Sequence, residues 1–576
     1  MKIKNWIKNY SFEIVLFIIF LVFIVMIQKF LSPIYVSPDD IAFKNFLCGN
    51  KTGVPEPHLY FIQYPLSFFL AQLFQLIGSI DWYGLFLLCS MIMPLYFLII
   101  KLKKLSDGNL GLMLITALSY FLLLYKNILQ LEWSVVSSVL ILSGVLYLFL
   151  DWNDHKTLSK IGISYIPGYL MVLFGLNLRI EMFYMIMPLL FCIFLIQIIK
   201  FRLFSIKKIF DKKKIIIPYL ILCSLFGLTY TCTKIAYHGD EWKEFSQYSI
   251  YRSRIRDFYG FPQFDEYQAE YESLGIDELK YQMLKYDYNA LFLNEEITID
   301  DYEKLYHLSE KVFWSEKSLV QRIAETLEGG YEKFTDSAYF SYNLILITLF
   351  LIVSFVLVYD DKKKYVFVEA MCLSIYMMAW MAFQFLNRLP ERVGIGIVLC
   401  MLVFTIILLN GVNKNHFFNR NRFLVCFIPL FIFSCFQWVS IHVQMKEMYL
   451  SCQDRIEVNH YYRKNTDKIF LRDFSSFNSM CDRITYINDT KIVNELTLGG
   501  WNVGSPVYSQ QLKVLGCENL DDLLKKERLY FVADRSKAKY IVQRFRQLLE
   551  QYDKEIALTY QLDLTSGKKI GIYQIQ

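Results

Sequence analysis

The chain has 576 residues, of which 55% are hydrophobic and 17% aromatic, with a formal net charge of +6. Its mean hydropathy is +0.32, and its apolar residues gather in blocks of about 20, which excludes an ordinary soluble domain and fits a polytopic helical membrane protein. The lysines form short clusters between those blocks, a pattern that sets membrane orientation and argues against nucleic-acid binding.

Met1-Lys2-Ile3-Lys4 opens onto an apolar run from about Ser11 to Val36 with no small-residue cleavage site after it, so it is expected to be retained as a first span. Next comes Ser37-Pro38-Asp39-Asp40, two adjacent carboxylates where the helix leaves the bilayer. Such a pair can supply a general base or help hold a divalent ion; the plain alternatives are solvated loop acids or a helix N-cap.

Phe43 to Pro57 has the composition of an ordered loop. His58 to Ile77 is apolar but carries Gln63, Pro65, Gln72 and Gln75. If it spanned, the clusters Lys101/Lys103/Lys104, Lys207 to Lys214 and Lys362-Lys363-Lys364 would all face outward. The positive-inside rule therefore makes 58–78 a juxtamembrane or re-entrant segment.

The expected spans are 12–34, 82–100, 109–125, 133–150, 161–178, 182–199, 215–233, 341–359, 365–386, 393–410 and 423–443: about eleven, with the N-terminus inside and the C-terminus outside. Four units follow: a membrane module over 1–233, an outer, mostly helical loop over 234–340, further spans over 341–444, and an extracytoplasmic domain over 445–576. Strand-like runs at Lys468 to Leu471, Tyr530 to Val532 and Ile570 to Tyr573 alternate with helical ones at Leu520 to Leu529 and Arg535 to Gln551, so the last unit is expected to be a small α/β domain. The loop beyond its first aromatic stretch is expected to be solvated helix.

Of the 12 cysteines, most lie in apolar blocks as small hydrophobes. Cys48, Cys452, Cys481 and Cys517 fall outside them, and the spacing allows a disulfide among the last three without demanding one.

The outer face collects charges that invite a functional reading. Arg179 and Glu181 occupy one turn between spans, and Arg388 and Arg392 flank another. Arginines converging there suit a phosphate; the bland reading is snorkelling anchors and a local Arg179–Glu181 pair. His58, after Pro55-Glu56-Pro57, is a candidate for the phosphate or for supporting the carboxylates. Arg252 and Asp257 are read as pairing with each other or facing an acceptor. Tyr60 belongs to an aromatic belt that suits both the interface and sugar stacking. Gly499-Gly500-Trp501 is read as turn chemistry without a catalytic part. The absence of G-x-x-x-x-G-K-[ST], G-x-S-x-G and H-E-x-x-H argues against a P-loop ATPase, an α/β-hydrolase or a zincin.

On Ser37-Pro38-Asp39-Asp40 and Pro55-Glu56-Pro57-His58-Leu59-Tyr60, with alternating spans and enlarged outer loops around them, the chain resembles the GT-C superfamily of polytopic membrane glycosyltransferases. It departs from the family in having Asp-Asp where Asp-Glu or a single Asp is commoner, and in splitting the paired prolines with Glu56. It is also similar to uncharacterised bacterial membrane proteins with Trp242, Arg252-Ser253, Asp257 and Gly499-Gly500-Trp501 in like settings, a likeness that brings no activity. The GT-C resemblance implies a polyprenyl-phosphate sugar donor, an envelope glycan acceptor and a site at the outer face of a bacterial cytoplasmic membrane. Asp39, with Asp40 next, would be the base; Arg179, Arg388, Arg392 and His58 would hold the donor phosphate; Arg252, Asp257 and Tyr60 would face the acceptor. A divalent cation at Asp39 and Asp40 is allowed but not required. Two competing readings are an O-antigen-type polymerase or ligase using Arg252, Arg254 and Arg256, and a flippase or scaffold without catalysis. The plain, uncharged centres of most spans count against transport.

Overall fold

The computed structural model describes residues 2–105, 110–150, 158–201, 213–293, 296–335, 363–386, 388–412, 420–478, 480–484, 487, 490–550 and 553–576. Among them, six helices are long and apolar enough to cross a membrane: Ser11–Leu31, Trp82–Leu105, Met182–Lys200, Ile216–Ala236, Tyr365–Phe385 and Glu391–Leu408. Each coincides with an expected span. The expected spans at 133–150 and 161–178 are the shorter apolar helices Trp133–Phe149 and Ser164–Leu178. That at 109–125 lies in Leu110–Leu129, and that at 423–443 opens the helix Arg420–Lys464. The one at 341–359 lies outside the described residues.

The segment at 58–78 contains one helix, Tyr64–Leu76. At 1.5 Å per residue it is roughly 20 Å long, short of the roughly 30 Å bilayer core. It buries Leu66, Leu70, Ala71 and Phe74 and leaves Phe68, Phe69 and Leu76 exposed.

The helix Trp133–Phe149 is the centre of the bundle, buried along nearly its whole length. It approaches Leu158–Leu178 across small residues. A Cβ on Gly144 would stand 2.7 Å from the Gly168 carbonyl oxygen, and one on Gly175 would stand 2.5 Å from Ile141. Ser137 Oγ donates to the Gly175 carbonyl at 2.8 Å. Small residues and a hydroxyl at a close crossing are how apolar helices associate in lipid. This crossing fixes the distance between Glu132, at the start of one helix, and Arg179, just past the end of the other.

One small sheet gathers the ends of distant elements. β1 (Ile34–Tyr35) follows the first span, β2 (Gln130–Leu131) precedes the central helix, and β4 (Asp482–Arg483) comes from the C-terminal region. β1 pairs parallel to β2 and antiparallel to β4. Beside it, buried Lys44 reaches Asp482 at 2.8 Å and Asp81 at 3.8 Å, and those carboxylates push its pKa up to about 12 against the opposing effect of burial.

The C-terminal region carries a mixed five-stranded sheet in the order β5-β3-β6-β8-β7 (β3, Ile469–Arg472; β5, Glu495–Thr497; β6, Leu529–Asp534; β7, Ile556–Asp563; β8, Lys569–Ile575). Strand periodicity divides its two faces. Phe470, Val532, Ile570 and Ile572 pack with Val458 and Tyr462 of the long helix. Leu471, Phe531 and Tyr573 pack in one core with Tyr248, Tyr281, Tyr288 and Leu305 from the large loop. The loop and the C-terminal region, far apart in sequence, thus share a core. The helix Arg420–Lys464 runs 45 residues without a break at 444–445.

The large loop is helical, as expected, but its last helix, Leu319–Thr335, is not simply solvated. Leu319, Val320, Ile323, Leu327 and Tyr331 form an exposed apolar stripe at helical spacing, as suits a helix lying at a lipid surface. All described cysteines are free thiols. Cys452 and Cys481 share a small buried cluster, whereas Cys517 lies in another.

Candidate active site

Ser37 caps the helix Pro38–Leu47, accepting from the Asp39 N–H at 3.2 Å, with Pro38 in the first turn. Capping residue, proline and acids together form a strong helix start. Both carboxylates therefore sit in a helical first turn, and helical rotation sends them to different surroundings. Asp40 is fully buried. Its Oδ1 accepts from the Tyr83 hydroxyl at 2.6 Å and its Oδ2 from the Trp133 N–H at 3.3 Å. Burial, then neighbouring Glu132, hold its pKa well above the usual carboxylate range against those two hydrogen bonds.

Asp39 opens instead onto a cavity of about 860 Å³ between the helix ends, the large loop and the C-terminal region. The walls carry Arg179, Arg252, Arg256, Arg388 and Arg392. Arg392 Nη1 lies 4.0 Å from Asp39 Oδ2 and 3.7 Å from Glu132 Oε1. Glu132 is itself a helix N-cap, accepting from the Val135 N–H at 2.9 Å. Arg179 lies over the Trp133 ring at 4.6 Å, donates to Ser134 Oγ, and keeps Nε 3.7 Å from Glu181. The Nε atoms of Arg179 and Arg392 are buried without a hydrogen-bond partner among the described residues. Burial raises the pKa of Asp39, opposed by Arg392, Arg179 and Arg252 in that order.

The other cations are partly neutralised. Arg252 Nη2 donates to both Asp287 oxygens at 2.8 and 2.7 Å, and Arg256 reaches Asp287 at 2.9 Å. Arg388 pairs with Asp257 and lies over the Phe258 ring at 4.6 Å. Arg252 and Asp257 thus do not pair with each other; Asp287 and Arg388 take those places. Arg254 stacks on Phe258 at 5.1 Å and is not in the cavity wall.

Tyr60 lines the cavity, and its hydroxyl lies 3.4 Å from Ser246 Oγ. His58 does not reach it. The His58 ring sits behind Trp242 at 5.8 Å between ring centres, and its Nδ1 is 2.6 Å from Glu56. It packs against Trp242, which does line the cavity. A divalent ion does not fit the carboxylate pair. Both Asp40 oxygens are engaged, Asp39 faces Arg392, and no group of three His, Cys, Asp or Glu suited to a metal is found among the described residues.

Four features of the site escaped the sequence. Glu132-Trp133 had a readable signal, an acid at a turn between two apolar blocks. Asp287 had none, being one acid among many in an acidic loop. Phe474 and Trp501 come from the C-terminal region, and Trp501 belongs to the turn read as structural only. That turn is shaped to hold it. A Cβ on Gly499 would fall 1.9 Å from the Asp287 carbonyl oxygen, and Gly500, at φ +99, donates its N–H to Asp287 Oδ2 at 2.9 Å. Trp501 then meets Phe61 at 5.3 Å and Phe43 at 5.6 Å.

Compared with known proteins, the chain matches no family model and no curated protein. A solved structure, the crystal structure of ArnT from Cupriavidus metallidurans in the apo state, aligns with 99% of this chain and 98% of its own at 8% identity, with a TM-score of 0.41.

Proposed function

We propose that this chain is a membrane glycosyltransferase that moves a sugar from a polyprenyl-phosphate donor to an envelope glycan or similar acceptor at the outer face of a bacterial cytoplasmic membrane. The observation that carries the reading is the meeting of Asp39 with Arg179, Arg388 and Arg392 in one cavity at the ends of apolar helices. A lipid-linked donor needs such a place, where its tail stays in the bilayer and its head group leaves it.

In this reading Asp39 accepts the proton of an acceptor hydroxyl as that oxygen bonds to the anomeric carbon. The bond from that carbon to the phosphate oxygen breaks, and polyprenyl phosphate leaves with the electron pair. Charge grows on the phosphate during the step, and arginines already in place there stabilise the transition state more than the ground state. The Nε atom of Arg392, which has no hydrogen-bond partner among the described residues, is a donor an oxyanion would satisfy. Asp39, raised by burial, is a stronger base than a solvated carboxylate. Tyr60, Trp242 and Trp501 supply faces for sugar rings.

The test is the sugar composition and linkage of surface glycans in wild type, a deletion strain, and the deletion complemented with Asp39→Asn at matched membrane levels. Loss of one sugar in both the deletion and the variant is the expected result. Loss in the deletion with full rescue by the variant would overturn the carboxylate mechanism.

A further inference from the structure

A second, smaller pocket of about 90 Å³ lies on the far side of Asp39, between the helix Pro38–Leu47, the long helix Arg420–Lys464 and the edge of the C-terminal sheet. Asp39, Phe474 and Trp501 line both spaces, so they form the wall between them. Within the small pocket three cations converge: Lys51, Arg455 and Arg472. They come from separate elements, respectively the turn after the site helix, the long helix and β3.

The compensation is incomplete. Lys51 and Arg472 share one carboxylate, buried Glu495, which lies 2.9 Å from Arg472 Nε. Arg455 is 7% exposed and bonds only main-chain carbonyls: Cys481 at 3.1 Å, Met480 at 2.6 Å and Phe477 at 3.3 Å. It pairs with no carboxylate among the described residues. Burial pushes Lys51 down, and Arg472 and Arg455 push it further; burial and Arg455 likewise push Arg472 down. Buried Arg455 and the partly buried Lys51 and Arg472 outnumber the two carboxylates beside them, Glu495 and the pocket-lining Asp39, and this excess of positive charge is one an anion would stabilise.

Resting on the transferase reading above, we propose that this pocket binds an oxyanion, a carboxylate or a phosphate ester, carried by the acceptor, so that the acceptor is an acidic glycan. The pocket has room for such a group with a few waters. An anion held there leaves the sugar that carries it against Trp501 and its hydroxyls beside Asp39, opposite the arginines of the large cavity. The two cavities then divide the substrates: donor phosphate on one side of Asp39, acceptor anion on the other. Most other polar residues in the pocket wall, such as Asn45, Asn502 and Thr497, are neutral and suit sugar hydroxyls.

The test is ligand binding by the full-length protein in lipid nanodiscs, read as a shift in unfolding temperature with glucose, glucuronate or glucose 6-phosphate. The expected result is a saturable shift with at least one of the two anions and none with glucose. Lys51→Met and Arg472→Gln should each weaken the half-saturation about tenfold or more. Each leaves Glu495 paired with the remaining cation, so each keeps the fold, and Lys51→Arg should retain the response. A response to glucuronate alone assigns a carboxylate, and to glucose 6-phosphate alone a phosphate. No anion response in the wild type overturns the proposal. So does a response that survives Lys51→Met and Arg472→Gln but is lost in Arg388→Gln, which would place the anion in the large cavity. Because the readout is binding, an inert Asp39→Asn phenotype in the glycan experiment would sink the base mechanism and leave this result legible.

Discussion

Asp39 and Asp40 are neighbours in the chain with opposite environments: Asp39 faces Arg392 across a cavity at 4.0 Å, while Asp40 is sealed with both oxygens hydrogen-bonded. Of the two, only Asp39 lines the cavity, so the two residues should separate under the same isosteric change. Asp39→Asn is expected to lower transfer by a factor of about 10² to 10⁴, the usual worth of a general base. Asp40→Asn should stay within about tenfold, because the amide can accept from the Trp133 N–H and donate to the Tyr83 hydroxyl, a rearrangement worth about 1 kcal/mol. Surface-glycan composition in strains carrying each variant singly decides it. Equal loss in both would return Asp40 to the chemistry.

The base mechanism also fixes a pH dependence. Burial raises the pKa of Asp39, and Arg392 is the largest influence lowering it. A base must be ionised to act, so activity falls as pH drops through its pKa, and the acidic limb should lie above the ordinary carboxylate range near 4. Arg392→Gln removes the main stabiliser of the charged form, so the limb should move to higher pH; Arg392→Lys should move it less. Transfer rates in membranes of each variant across pH measure this. A limb that stays in place in Arg392→Gln would show that Asp39 is not the titrating group.

Asp40 makes a separate prediction about stability. Its folded pKa is raised, so the folded state holds a proton that the unfolded chain would release. Its contribution is therefore fully present below the unfolded pKa and is lost as pH rises through the folded one. Asp40→Asn cannot titrate. The unfolding temperature of the variant minus that of the wild type should grow from acidic to neutral pH. Tyr83→Phe removes a donor to the charged form and should steepen the decline. Parallel curves for wild type and Asp40→Asn would mean that Asp40 has the same pKa in the folded and unfolded chain.

Much of this fold was legible because its signals are local. Apolar blocks of spanning length, Ser37-Pro38-Asp39-Asp40 as a helix start, and the strand and helix alternation after Asp467 can be read one window at a time. The rest depends on contacts between distant segments. Asp287 matters because Arg252, Arg256 and Gly500 converge on it, and nothing near Asp287 in the sequence announces that. His58 is the converse case: its proline-flanked position near the carboxylates is a local signal, and packing sets its ring against Trp242 rather than in the cavity wall. The composition of the large loop pointed to solvated helix, but its aromatic residues share a core with the C-terminal sheet.

Gly499-Gly500-Trp501 shows how such a long-range contact can be tested. Gly499 is required by its neighbour, since an added Cβ would fall 1.9 Å from the Asp287 carbonyl oxygen, and a backbone atom cannot swing aside as a side-chain tip can. Gly499→Ala should therefore cost about 1–3 kcal/mol as an overpacked site. Because the clash falls between the loop and the C-terminal region, it should also displace Trp501 from both cavities. Gly567→Ala is the control: its φ is +86 but a Cβ there meets open space, so only the backbone cost of about 1–2 kcal/mol applies and the site is untouched. Unfolding temperatures and glycan transfer for both variants make the comparison. Gly499→Ala should lose stability and transfer together, and Gly567→Ala only some stability. Full transfer by Gly499→Ala would remove Trp501 from the working site.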